Sequence, residues 1–287
     1  MFTDDGFTDD GFTDDGPLMT AQATPPAPRE WNAPTYHRVS APQFTWGQAV
    51  LDRLVLAGAE TVLDVGCGTG RLTALLLDRL PGGCAVGIDL STAMLATARQ
   101  ELPPVARSRA RFVHADAAAL PIAGGADAIF STATFHWVLD HPRLFRSLWR
   151  ALRPGGRLVA QCGGGANLER HHRRAAALMR APAYASYFQA WVEPWEFADA
   201  ATTHARLSEA GFTDIVTRVT AAPVVQPDRA AFAEFVTHVV FRPHLARLPD
   251  DRLKAAFIED LASQAAADPV PFELDYWRLD FDATRPR

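Results

Sequence analysis

Residues 61–73 read Thr61-Val-Leu-Asp-Val-Gly-Cys-Gly-Thr-Gly-Arg-Leu-Thr73, and the reading of the whole chain starts from them. Val62, Leu63 and Val65 form the kind of apolar run found in a strand covered on both faces. Gly66, Gly68 and Gly70 let the backbone turn sharply and let a ligand approach the main chain. Leu72, Leu75, Leu76 and Leu80 then recur at helical spacing, so a helix begins near Gly70. Strand, glycine turn and helix together make a nucleotide-type site at the carboxyl end of a strand. A dinucleotide fingerprint is not met, because Arg71 stands at the third glycine position and Gly70 comes one residue early. The loop has no lysine, which excludes a Walker phosphate loop.

Downstream, strands are expected at 85–90, 111–115, 126–131 and 157–162, with helices from Thr92 and over 141–152. This alternation predicts a parallel sheet with helices on both faces. Beyond it come helices at 167–180 and 198–210, a strand at 213–221, helices at 228–240 and 250–266, and a last strand at 275–282. The insertions around the sixth strand are placed to fold over the strand ends as a helical cap, at about 163–197 and 222–270. The cofactor-binding core then spans about 44–162. The basic run Arg170-His-His-Arg-Arg174 reads either as a solvated helix face or as an anion site.

Residues 2–16 are three copies of Phe-Thr-Asp-Asp-Gly. Their acidity and glycine argue for a solvated tail, and the prolines up to residue 30 for a linker, leaving one domain over 31–287. Removing the six repeat aspartates takes the net charge from −5 to +1, so the body has no field suited to nucleic acid. No apolar run approaches the roughly 20 residues of a membrane span. Cys67, Cys84 and Cys162 are scattered, which fits a reducing cytoplasm and neither a disulfide framework nor a metal site. A small-molecule partner and a monomer or homodimer are expected.

Four motifs in order carry a resemblance. Val62-Leu-Asp-Val-Gly-Cys-Gly-Thr-Gly70 resembles the first motif of class I S-adenosylmethionine-dependent methyltransferases. Asp89 in Gly-Ile-Asp-Leu-Ser resembles their second-strand acid, Ala115-Asp-Ala117 their adenine-flanking segment, and Leu152-Arg-Pro-Gly-Gly-Arg-Leu158 their turn before strand five. Trp31-Asn, Tyr36, Phe135-His-Trp-Val-Leu-Asp140, Leu207-Ser-Glu-Ala-Gly-Phe212 and Phe241-Arg-Pro243 extend it to the trans-aconitate methyltransferase family. The resemblance implies a doubly wound, Rossmann-like α/β fold of seven strands, the last antiparallel, with S-adenosyl-L-methionine as cofactor. It also implies methyl transfer to a small acceptor, with O-methylation of a carboxylate ahead of N- or C-methylation or a non-catalytic cofactor-binding module.

Residue roles follow from that likeness. Asp89 can accept both ribose hydroxyls, since a carboxylate has two acceptor oxygens. Asp64 braces the loop and the aminoacyl end of the cofactor, and Gly66, Gly68 and Gly70 admit it. Asp116 and Ala117 face adenine; Leu90 and Met94 pack on the cofactor, Ser131 flanks it at the end of strand four, and Tyr36 closes over it. Cys67 lies in the loop as a small packing residue. His136, just past strand four, is the candidate base or pocket wall. Arg242 is the candidate carboxylate clamp, with His238 one turn before it. Trp195, Tyr184 and Trp277 either line the pocket or pack in the core.

Overall fold

The computed structural model describes Trp31 and residues 33–287, apart from the side chains of Pro34, Tyr36 and His37. The acidic repeat and linker expected over residues 1–30 lie outside the described residues, as does the side chain of Tyr36. The apolar run becomes β1 (Thr61–Val65), buried from Val62 onward. Around it lie α1 (Ala33–Val39), α2 (Ala41–Arg53), α3 (Arg71–Asp78), β2 (Cys84–Asp89), α4 (Thr92–Glu101), β3 (Ala110–His114), β4 (Ala126–Thr132), α5 (His141–Ala151) and β5 (Leu152–Gly163). The second half adds α6 (Glu169–Met179), α7 (Ala200–Glu209), β6 (Thr213–Ala221), β7 (Val224–Val225), α8 (Arg229–Phe235), α9 (Arg242–Leu245), α10 (Asp251–Ala266), β8 (Glu273–Leu274) and β9 (Trp277–Thr284).

Seven strands form one sheet in the order β3-β2-β1-β4-β5-β9-β6. The first five pair in parallel, and β9 runs antiparallel between β5 and β6. The doubly wound fold with an antiparallel last strand is therefore present. Strand order reverses between β1 and β4, and ligands of open α/β sheets bind at such a switch point. The glycine loop leaves β1 there.

One face of the sheet packs on Leu144, Phe145 and Leu148 of α5 and Leu207 of α7. The other face packs on Val50 and Leu51 of α2 and Leu76 and Leu77 of α3. A separate core gathers Phe232, Phe235, Phe241, Phe257 and Leu261 from α8 to α10 with Ala175 of α6. Aspartates cap α5, α7, α8 and α10: Asp140, Asp199, Asp228 and Asp250 accept from backbone N–H groups three residues on, satisfying donors that a helix start leaves unpaired.

The structure departs from the sequence expectation in three places. The fifth strand starts at Leu152, which pairs with Ala126 before a register shift. The helix expected over 228–240 stops at Phe235 and continues as a π turn, Val236–Val240. There Phe241 N–H reaches back to the Val236 carbonyl at 2.7 Å, while Pro243 starts α9 without an N–H to give. The last strand begins at Trp277 because Glu273 and Leu274 pair with β7 in a two-stranded ribbon.

Candidate active site

The loop after β1 is shaped by three left-handed glycines, Gly66 at φ 81°, Gly68 at 53° and Gly70 at 78°. Gly66 N–H and Cys67 N–H both donate to the Ile88 carbonyl of β2, at 2.7 and 3.0 Å. Gly68 N–H donates to Asp89 at 2.9 Å, and Ser91 N–H to its other oxygen at 2.9 Å. The Asp89 carboxylate thus ties the loop to the end of β2. A Cβ on Gly66 would stand 1.9 Å from Thr134 Oγ1, whereas one on Gly68 would meet nothing within 4 Å. That open side of Gly68 faces a cleft lined also by Gln43, Phe44, Asp64, Arg71 and Thr132.

Asp64 lines the cleft and is 2% exposed. It accepts a 2.6 Å hydrogen bond from Thr73. Burial, with the Asp89 charge adding to it, pushes its carboxyl up to about 7 against the Thr73 bond. A buried carboxyl beside a second acid favours a cation as its partner. Open backbone at Gly68, a carboxylate at the strand end and the buried acid Asp64 thus converge at the switch point of the sheet.

Of the other expected residues, Leu90, Met94, Asp116, Ala117 and Ser131 are not among those lining this cleft. Leu90 is an exposed apolar side chain next to Asp89, whereas Met94 is buried. Asp116 is exposed and caps a short turn by accepting from Ala118 N–H at 2.8 Å; Ala117 is buried in that turn. Ser131 is fully buried, with its hydroxyl donating to the Val65 carbonyl at 2.6 Å, so it braces β1 from below. Burial and the neighbouring acids push the Cys67 thiol well up, consistent with packing rather than nucleophilic attack.

A second cavity lies beyond Gln43 and Ala133, which line both spaces. Gln43 comes from α2, and its Oε1 is buried without a partner among the described residues. His136 lines this cavity, stacked 5.7 Å from Phe197. Gly163 N–H donates to its Nδ1 at 3.3 Å. A backbone amide can only donate, so the neutral ring carries its proton on Nε2 and offers a donor. Trp195 also lines the cavity. Tyr184 packs in the cap core with its hydroxyl toward Asp260.

Arg242 stacks over Trp31, 4.3 Å from the ring, and is not among the residues lining the cavity. His238, half-buried on the π turn, is likewise absent from the lining. The arginine among the residues lining the cavity is Arg278 of β9, 4% exposed. Its Nε donates to Gln161 at 3.2 Å, and its fork lies 4.6 Å from the Trp46 ring. Gln161 in turn donates to Asp280 at 2.9 Å, and Asp280 pairs with Arg53.

The basic run on α6 divides. Arg170 and Arg174 pair with Asp268, and His171 contacts the Glu273 carbonyl. Arg173 pairs with Glu169 in solvent, while His172 lines the cavity. Nothing in the sequence singles out Arg278, His172 or Gln43, because each reaches the cavity through tertiary packing.

Among the described residues, no helix is long and apolar enough to cross a membrane. Residues 63–160 match the family described as a methyltransferase domain. A trans-aconitate 2-methyltransferase of Variovorax paradoxus (strain S110) is 34% identical over 240 residues, covering 80% of this chain and 87% of that protein. One from Deinococcus radiodurans is 33% identical over 272 residues, covering 89% and 98%. In fold, the chain matches a putative methyltransferase of Bacillus halodurans C-125 with a TM-score of 0.61 at 14% identity, over 85% of this chain and 100% of that one. A phosphoethanolamine N-methyltransferase 2 of Haemonchus contortus in complex with S-adenosyl-L-methionine matches with a TM-score of 0.56 at 19% identity, over 89% of this chain and 57% of that one. With the switch-point glycine loop, the strand-end acid and the matching fold, these similarities make the chain an S-adenosylmethionine-dependent methyltransferase that belongs to the trans-aconitate 2-methyltransferase family.

Proposed function

We propose that the enzyme methylates a carboxylate oxygen of a small acid held in the cavity beyond Gln43 and Ala133. One observation carries this: the glycine-loop cleft and a second cavity meet at two shared residues, and the second has Arg278 in its lining. A planar guanidinium matches a carboxylate through two parallel hydrogen bonds. In this reading the clamp expected of Arg242 passes to Arg278, and Arg242 holds Trp31 in the wall.

On the cofactor side, Asp89 is assigned the ribose hydroxyls, and Gly66, Gly68 and Gly70 the close backbone approach. Leu90 and Ala117 flank adenine, with Asp116 toward its exocyclic amine, and Asp64 takes the aminoacyl cation. Met94, Cys67 and Ser131 pack behind this surface. Bound S-adenosylmethionine supplies an electrophilic methyl group on a positively charged sulfur. The chain aligns the acceptor in line with that methyl and keeps water out, so proximity and orientation supply the rate. An ionised carboxylate needs no base, and the Nε2–H of His136 serves as a donor that orients it.

The pH dependence of kcat at saturating cofactor tests this. The profile is expected to stay level from about pH 6 to 9, and His136→Asn is expected to raise the acceptor KM more than it lowers kcat. A limb near neutrality that disappears in His136→Asn would show a general base and overturn the carboxylate reading.

Asp64 gives a separate test on the cofactor side. Its folded-state pKa of about 7 lies above the ordinary 3.8. Its contribution to stability without ligand is therefore full below about pH 4 and is lost as pH rises toward 7. A bound cation favours the ionised form, so S-adenosylhomocysteine affinity is expected to rise about tenfold between pH 6 and pH 8, with proton release. Calorimetry in two buffers of different ionisation enthalpy measures both effects. Asp64→Asn is expected to flatten the dependence; an unchanged slope in that variant would remove Asp64 from the account.

A further inference from the structure

A series of polar side chains leads from α2 to Arg278 of the acceptor cavity. Arg53 of α2 pairs with Asp280 and Asp282 of β9 and donates to the Ala160 carbonyl at 3.0 Å. Asp280 accepts from Gln161 of β5 at 2.9 Å, and the Gln161 side-chain oxygen accepts from Arg278 Nε at 3.2 Å. Gln161 is buried and stands directly opposite Asp280 in the antiparallel β5–β9 ladder. The polarity of this series is fixed. An ionised Asp280 only accepts, so Gln161 gives it an amide N–H and turns its oxygen to Arg278. Arg278 is thereby held at Nε and, through the 4.6 Å contact with Trp46 of α2, across its face.

The chemistry of this link matters as much as its geometry. A carboxylate at position 161 would hold the guanidinium and cancel its charge. A neutral amide oxygen holds it and leaves the charge in place, while Asp280 and Asp282 are matched by Arg53. A carboxylate taken out of water binds well only against such a charge. The same residue reaches the meeting point of the two spaces. Ala133, which lines both, is left-handed at φ 54° and donates its N–H to the Gln161 carbonyl at 2.8 Å. That bond is made by the main chain, so a change of the Gln161 side chain leaves it intact.

We infer that Gln161 is a positioning residue of the acceptor site: its side-chain oxygen fixes the plane of Arg278, and its neutrality keeps the guanidinium charge for the acceptor carboxylate. Gln161 is absent from the lining of both spaces, so it acts through Arg278 and touches neither acceptor nor cofactor. This rests on the carboxylate reading above and deepens it.

The test measures acceptor KM and kcat with trans-aconitate, the compound for which the relatives are named, and S-adenosylhomocysteine affinity by calorimetry. Gln161→Met keeps the volume and loses both hydrogen bonds. It is expected to raise KM by about tenfold or more, the weight of a hydrogen bond to a charged group, with a smaller change in kcat and an unchanged S-adenosylhomocysteine affinity. Gln161→Glu keeps the shape and an acceptor for Nε. It is expected to raise KM further at about pH 9, where its carboxyl is ionised and pairs with the guanidinium. A support that is only structural would lower kcat and thermal stability through loss of folded enzyme and leave KM in place. Wild-type KM in either Gln161 variant, with Arg278→Gln raising it, would overturn the inference and leave the carboxylate reading standing. An Arg278→Gln enzyme with wild-type KM, or a wild-type enzyme that does not methylate trans-aconitate, would overturn that reading and this inference with it. If Gln161→Met fails to fold, Gln161→Glu decides.

Discussion

Gly68→Leu is expected to leave the enzyme folded and to weaken S-adenosylhomocysteine binding by about 2.7 kcal/mol or more, roughly a hundredfold. At φ 53° Gly68 is left-handed, and a Cβ there meets nothing within 4 Å. The substitution therefore carries a backbone cost of about 1–2 kcal/mol but no packing clash. Its side chain occupies the cleft that Gly68 opens. Gly66→Leu is expected to behave in the opposite way. The new Cβ would stand 1.9 Å from Thr134 Oγ1, in a loop whose two amides hold the Ile88 carbonyl, so the protein should be recovered unfolded or with a sharply lowered Tm. Thermal unfolding and calorimetry on the pair separate the two outcomes. A Gly68→Leu enzyme that binds like the wild type would show that the cofactor does not use this cleft.

Asp89→Ala is expected to lower S-adenosylhomocysteine affinity by about 3 kcal/mol, the upper range for a hydrogen bond to a charged group. Two losses coincide. The ribose loses its acceptor, and the Gly68 and Ser91 amides lose the oxygens that orient the loop at 2.9 Å. Asp89→Asn keeps the shape but has one acceptor oxygen, so it is expected to fall between alanine and the wild type. A further consequence reaches Asp64, whose carboxyl the Asp89 charge helps to raise. In Asp89→Ala the pH midpoint of binding should therefore move down. An alanine variant with wild-type affinity and an unmoved midpoint would remove Asp89 from the cofactor site.

The sheet and the glycine loop are legible because local patterns dictate them. Val62, Leu63 and Val65 cannot be solvated together, and three closely spaced glycines leave few alternatives to a tight turn. Asp89 was readable because it ends a strand at a fixed distance after that loop. The acceptor cavity was not, for a physical reason. Arg278, His172 and Gln43 come from β9, α6 and α2 and meet only after the chain has closed. Arg242 illustrates the converse. Its Arg-Pro pair is visible in the sequence, but the π turn before it and the stack on Trp31 set its direction. Helix periodicity through 228–240 gives no sign of that turn, because the exchange of one hydrogen bond at Phe241 leaves the apolar spacing nearly unchanged.

The most direct test of carboxylate methylation is the chemistry of the product. Enzyme, methyl-labelled S-adenosylmethionine and trans-aconitate are incubated together, and the isolated product is treated with mild alkali. A methyl ester is predicted, so the label should be released as methanol and the parent acid recovered. Label that survives alkali on the acceptor would mean transfer to nitrogen, carbon or an ether oxygen, and would contradict the account.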